Sequence, residues 1–145
     1  MLRWLLREWG VVNETHNTDW QSLERFSFGD GPALADALAN LVLAGKKRAT
    51  CWAESDGPQT YPGKRMVMLD GAGVPRAILA TIELSLRRRD EVDEASAFDE
   101  GEGDRTLSFW RRAHRRYFER LGTYSPDMKL YCERFRLVTR INLSM

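Results

Sequence analysis

The sequence predicts an α+β fold, a small curved sheet or barrel with helices packed against it. Three observations carry that prediction. Two stretches place apolar residues at helical spacing and end in stop signals, and four others read as strands bounded by turn residues. Neither a G-x-G-x-x-G nor a Walker pattern occurs, which argues against a nucleotide-binding parallel α/β architecture.

The first helix lies in "FGDGPALADALANLVLAGKK". Asp30 or Gly31 can cap it, and Pro32 stands where a missing N–H costs nothing. Leu34, Leu38, Leu41 and Val42 form its apolar stripe. Gly45 supplies a left-handed stop, with Lys46 and Lys47 just beyond the negative helix end. The reading then turns to β. "RATCWA" is a short strand, "SDGPQTYPGKR" is a loop ending at Pro62-Gly63, and "MVML" is a strand reversed by the hairpin "DGAGVP". The longest strand runs from about Arg76 to Leu86, with Ile78, Ala80, Ile82 and Leu84 on one face and Thr81, Glu83 and Ser85 on the other.

"DEVDEASAFDEGEGD" reads as an acidic, glycine-containing connection. Asp104 is then the expected cap of a helix reaching Leu121, whose stripe is Leu107, Trp110, His114, Tyr117, Phe118 and Leu121. His114 on that stripe reads as a hydrogen-bonded packing residue. Gly122 ends the helix, "TYSPDM" turns, and "KLYCERFRLV" closes as a strand with Phe135 and Leu137 inward and Arg134 and Arg136 outward.

At 145 residues the chain is long enough for one core. "MLRWLLREWG" reads as an amphipathic helix, so residues 1–25 are expected to be a helical extension packed on a domain of residues 26–145. No apolar run approaches the ~20 residues of a membrane span, and the start lacks the form of a secretion signal, so the cytoplasm is the expected location. Cys51 and Cys132 have no metal-ligand spacing and read as reduced thiols beside strands. His16 and His114 lack partners at useful spacing, and no metal site is expected from the motifs. A net charge of +1 gives no global polybasic signal, although Arg87–Arg89 and "RRAHRR" at 111–116 are local clusters.

The corner "GKKRATC", Gly45 to Cys51, sets two of the chain's four lysines side by side, ahead of a threonine. A solvated turn accounts for it; an active-site corner accounts for it better if a pocket and partner exist. Taken in order, G-x-K-x-x-T after a helix, a Pro-Gly turn, a D-G hairpin, "EGEGDRTLSFWRRAH" and "MKLYCERFRLV" resemble the ASCH domain family, in its bacterial single-domain branch. The resemblance runs from about Phe26 to Val138.

It implies a PUA-like small β-barrel with flanking helices and a cleft suited to RNA or modified nucleosides. Some members are amidohydrolases that remove the acetyl group from the exocyclic amine of acetylated cytidine; others are RNA-binding proteins or ribonucleases. Matched residue by residue, the amidohydrolase centre falls on Lys47, Thr50 and Glu102, with Glu100 one alignment slip away. Gly101 and Gly103 would let the backbone around Glu102 approach a ligand closely.

A threonine hydroxyl needs a base. Lys47 would serve as one if desolvation and the neighbouring Lys46 and Arg48 lowered its pKa. Lys47 then belongs in the turn and Thr50 at the strand's start, since in one regular strand their odd spacing would send them to opposite faces. The same cleft would suit single-stranded RNA: Lys46, Lys47, Arg48, Arg111 or Arg115 on phosphates, Trp52, Tyr61 or Tyr124 as a stacking plane, and Ser125 on a phosphate or sugar. The amidohydrolase reading needs no cofactor. The ribonuclease reading would draw on Mg²⁺, with Asp99, Glu100, Glu102 and Asp104 as carboxylate donors. The expected partner is RNA or a modified nucleoside, with no membrane.

Overall fold

The structure, a computed structural model, describes residues 20–143 and, for residues 3–6, the backbone alone. Its strands are β1 (Arg3–Leu6), β2 (Arg25–Phe28), β3 (Ala49–Ala53), β4 (Arg65–Leu69), β5 (Pro75–Arg88) and β6 (Lys129–Arg140). They form one sheet in the order β1-β2-β4-β5-β6-β3. Among the described residues only the β2–β4 pair is parallel. The helices α1 (Pro32–Leu43), α2 (Glu94–Glu100) and α3 (Leu107–Leu121) complete an α+β fold of small-barrel type. The sheet stays open, with β1 and β3 as its edges.

The expected helices follow their punctuation. α1 begins after Gly31 with Pro32 in its first turn, and α3 stops at Gly122, which adopts φ +73°. The α3 cap is Thr106, whose hydroxyl accepts from the Phe109 N–H. Asp104, the expected cap, instead receives the Thr106 N–H and hydroxyl and holds that cap in place. Trp110, His114, Tyr117 and Phe118 are buried as their spacing requires. Trp110, Tyr117 and Phe118 join Phe26, Phe28, Leu38, Val42, Met66 and Leu79 in one core between sheet and helices. Full burial of each such apolar side chain contributes about 1.5–3 kcal/mol.

Three expectations are corrected. The helix expected over the first ten residues is replaced at Arg3–Leu6 by a strand antiparallel to β2. Of the rest of the expected extension, residues 20–25 hold a short 3-10 turn at Trp20–Ser22 and the start of β2, and residues 1–2 and 7–19 lie outside the described residues. The acidic connection contains α2, capped by Asp93 through the Ser96 N–H. Its charge hid a short helix, because only Ala97 and Glu100 on it are buried and no apolar stripe is needed. Along β5 the single-face stripe fails: register against β6 shifts between Ile78 and Leu79 and again between Thr81 and Glu83. Each shift re-aims the residues beyond it. Ile82 is therefore 55% exposed while Thr81 is buried. No helix among the described residues is long and apolar enough to cross a membrane.

Candidate functional site

Two tight chain reversals build the centre. At the end of α1, Gly45 (φ +78°) donates to the Val42 carbonyl at 3.0 Å and Lys46 to the Leu41 carbonyl at 2.9 Å. This paired closure satisfies the last helix carbonyls and turns the chain sharply. It leaves Lys46 exposed while the next side chain, Lys47, enters the core at 1% exposure. α2 ends in the second reversal at Gly101 (φ +76°), and the Arg48 N–H joins the two segments by donating to the Asp99 carbonyl at 2.7 Å. A Cβ at Gly101 would lie 2.3 Å from the Lys46 oxygen. The glycine thus permits a close approach to the protein's own backbone. Gly103 likewise faces the Phe109 ring, so neither contact is the expected ligand approach.

Between these reversals lies a buried polar cluster. Lys47 Nζ donates to the Ala49 carbonyl at 2.9 Å, to Glu102 Oε2 at 3.0 Å and to the Glu100 carbonyl at 3.3 Å. The Glu100 carboxylate accepts from Trp110 Nε1 at 2.7 Å through Oε2. Its Oε1 is 3.4 Å from His114 Nε2 and 3.9 Å from both Cys51 Sγ and Lys47 Nζ. His114 Nδ1 lies 2.9 Å from the Trp110 carbonyl, an acceptor only, so that nitrogen carries the proton.

The electrostatics correct the expected lysine chemistry. Burial pulls the Lys47 ammonium down, but Glu102 and Glu100 outweigh it and the pKa is raised. Lys47 is a locked cation. The expected pressure from Lys46 and Arg48 does not govern it: both side chains are exposed, and Arg48 is paired to Asp99 at 3.0 Å. Burial raises the glutamates, yet His114 and Lys47 hold Glu100 below its ordinary value and Lys47 does the same for Glu102. For His114, burial pulls down and the Cys51 sulfur and Glu100 push up, leaving it at about 9.

The carboxylates therefore contribute stability that is complete above their ordinary value of 4.5 and is lost as pH falls toward the depressed ones. Urea midpoints taken from neutral pH down through that range should fall more steeply for the native chain than for Glu102→Gln. Equal slopes would contradict the assignment.

The other expected site residues are dispersed. Thr50 is buried on β3 directly opposite Glu133 of β6. It lines a hollow of about 20 Å³ with Glu100, Cys132 and Glu133. Lys47 borders a different concavity of about 400 Å³, with Gly45, Arg48, Ile82, Phe135 and Arg136. Lys47 and Glu102 thus meet, while Thr50 shares its hollow with Glu100. Trp52, expected as a stacking plane, is buried and donates Nε1 to the Gly57 carbonyl at 2.7 Å. Tyr61 is exposed beside Lys64. Tyr124 has the Arg89 and Arg115 guanidinium groups near it, 5.1 and 5.0 Å from its ring centre. The Arg111 side chain is exposed, and Ser125 donates to Asp127 at 3.1 Å.

The four acids considered for magnesium are separately engaged. Asp99 is held by Arg48 and Arg134, Glu100 by Trp110, Glu102 by Lys47, and Asp104 by Thr106. Three central groups were not singled out as site residues: Cys51, Trp110 and His114. The spacing of Trp110 and His114, one helical turn apart, was a usable signal for a shared partner.

A small-barrel α+β domain with a buried lysine–glutamate centre at the exit of its first long helix is the class defined by this geometry. The comparisons make it specific. The family model for the ASCH domain matches residues 24–139, and the chain belongs to the ASCH domain family. Among solved structures it is similar to the ASCH domain from Lactobacillus crispatus JV V101, at 32% identity and a TM-score of 0.72 over 79% of this chain and 78% of that one. It is also similar to a protein from Enterococcus faecalis V583, at 32% identity and a TM-score of 0.70 over 79% and 75% of the two chains. A comparison with curated proteins finds no match.

Proposed function

We propose that the protein processes RNA or a modified nucleoside at the Lys47 corner, by hydrolysing an acyl amide on the exocyclic amine of an acylated cytidine. The observation carrying this reading is the buried Lys47–Glu102 pair, 3.0 Å apart with both side chains nearly sealed from solvent. Burying such a pair is often less stable than an apolar replacement of the same volume, so fold stability alone gives little reason to keep it. Perturbed, paired ionisable groups cluster at functional sites.

In this reading Lys47 acts as an ammonium, stabilising the negative charge that develops on the attacked carbonyl oxygen. The reading requires the Thr50 hydroxyl, which lines a separate hollow, to reach the acyl carbon. Glu102, kept as a carboxylate, takes its proton and passes it to the exocyclic nitrogen as the C–N bond breaks and cytidine leaves. Water then hydrolyses the Thr50 acyl ester to release acetate. Incubation with acetylated cytidine is expected to release acetate and cytidine, with Thr50→Ala and Glu102→Gln inactive but folded. Absence of turnover by the native chain removes this chemistry.

A second reading, single-stranded RNA binding with or without cleavage, is favoured by Tyr124. The Arg89 and Arg115 guanidinium groups lie 5.1 and 5.0 Å from its ring centre, which joins an aromatic plane to two cations. Labelled single strands should bind with an affinity that falls as salt rises, and more weakly to Tyr124→Ala. Cleavage is to be followed with and without Mg²⁺. Salt-independent binding would exclude a phosphate-tracking surface.

A further inference from the structure

We propose that Cys51, Glu100 and His114 form a binding site for a divalent metal of the zinc class. The three residues are fully or almost fully buried, and their donor atoms all lie within 4.8 Å of one another. Zinc bonds of about 2.0–2.3 Å in tetrahedral array place an N/O pair roughly 3.4 Å apart and an S/O pair roughly 3.6 Å apart. The corresponding separations are 3.4 Å for His114 Nε2 to Glu100 Oε1 and 3.9 Å for Cys51 Sγ to the same oxygen.

The outer contacts point the same way. Metal-bound histidines usually donate their other ring N–H to a carbonyl or carboxylate, which fixes the tautomer. His114 Nδ1 donates to the Trp110 carbonyl in that manner. The Trp110 indole N–H holds the second Glu100 oxygen at 2.7 Å and leaves the first facing the cluster. His114 Nε2, in a side chain 1% exposed, has no hydrogen-bond partner: its approach to Glu100 is an ion-pair distance without hydrogen-bond alignment. One tryptophan thus orients two of the three donors.

The donor set selects the metal. A thiolate, an imidazole and one carboxylate suit Zn²⁺ and its tetrahedral analogue Co²⁺, whereas Mg²⁺ requires an oxygen shell. Three protein donors are also the number used by zinc sites that keep a fourth position for water or substrate. Charge closes as well. With a dication, the Cys51 thiolate and neutral His114, the centre including Lys47, Glu100 and Glu102 has no net charge.

The test uses Co²⁺ on the full chain, added to folded protein and during refolding from denaturant, because the site is enclosed. The expected result is one bound Co²⁺ per chain, a thiolate-to-cobalt charge-transfer band and a raised melting temperature. Cys51→Ser and His114→Gln should remove the band, whereas Cys132→Ser retains it. Trp110→Phe, which removes the indole hydrogen bond to Glu100, should weaken binding by roughly 10–100-fold. Failure of the native chain to bind stoichiometrically by either route overturns the site. So does a band that survives Cys51→Ser or disappears with Cys132→Ser. Should His114→Gln not refold, Cys51→Ser, a one-atom change, decides the ligand assignment.

Discussion

Lys47→Met is expected to lower stability by about 3–5 kcal/mol, the range found when one member of a buried ion pair is removed. The methionine fills a similar volume but supplies none of the three Nζ donor contacts to Ala49, Glu100 and Glu102. Glu102 loses its cation, and the Ala49 carbonyl loses a hydrogen bond in a buried setting. Urea denaturation at neutral pH measures the effect. A second substitution, Glu102→Leu, should recover part of the loss by removing the stranded carboxylate. If Lys47→Met unfolds at the native midpoint, the cluster is not an electrostatic unit. The same variant should lack acyl-amide hydrolysis, and the Glu102→Leu partner should not restore it.

Gly101→Ala is the second large effect. A left-handed conformation costs an ordinary residue about 1–2 kcal/mol, and here a clash adds to it. The new Cβ would stand 2.3 Å from the Lys46 oxygen and 2.6 Å from its carbonyl carbon. Both are backbone atoms at the closing turn of α1, so relief requires the α2 end and the Lys46 segment to separate. The total expected loss is about 3 kcal/mol, at the upper end of single-substitution effects. Gly122→Ala is the control: its φ is +73° and a Cβ there meets nothing within 4 Å, so only the conformational cost applies. Equal melting temperatures for the two variants would show that the close approach is unimportant.

These variants also separate what the sequence made legible from what it concealed. α1 and its exit were readable because Pro32 and Gly45 mark backbone needs that few other residues meet. Leu34, Leu38 and Val42 supplied the matching apolar period. The meeting of Lys47 with Glu102 was readable only through the family motif, because 55 positions separate them and no local rule spans that distance. The dispersal of Thr50 could not be read, since it depends on how β3 pairs with β6. Ile82 was misplaced for a related reason: strand alternation assumes continuous register, and the two β5 shifts break it. Glu100, an alignment alternative to Glu102, became central once α2 was visible. Its side chain comes off that helix toward Trp110, at a distance periodicity cannot measure.

The edge position of β3 bears on when this centre can exist during synthesis. Its sheet partner is β6, which leaves the ribosome after the other five described strands, with Cys51 directly opposite Cys132. Until that strand arrives, the nascent polypeptide has both glutamates, the lysine and His114, but the edge that seats Cys51 and Thr50 has no ladder to join. Long-range pairings of this kind form late because the intervening chain must first be brought to order. The interior charges therefore spend translation in water, and their desolvation is deferred to the closing step.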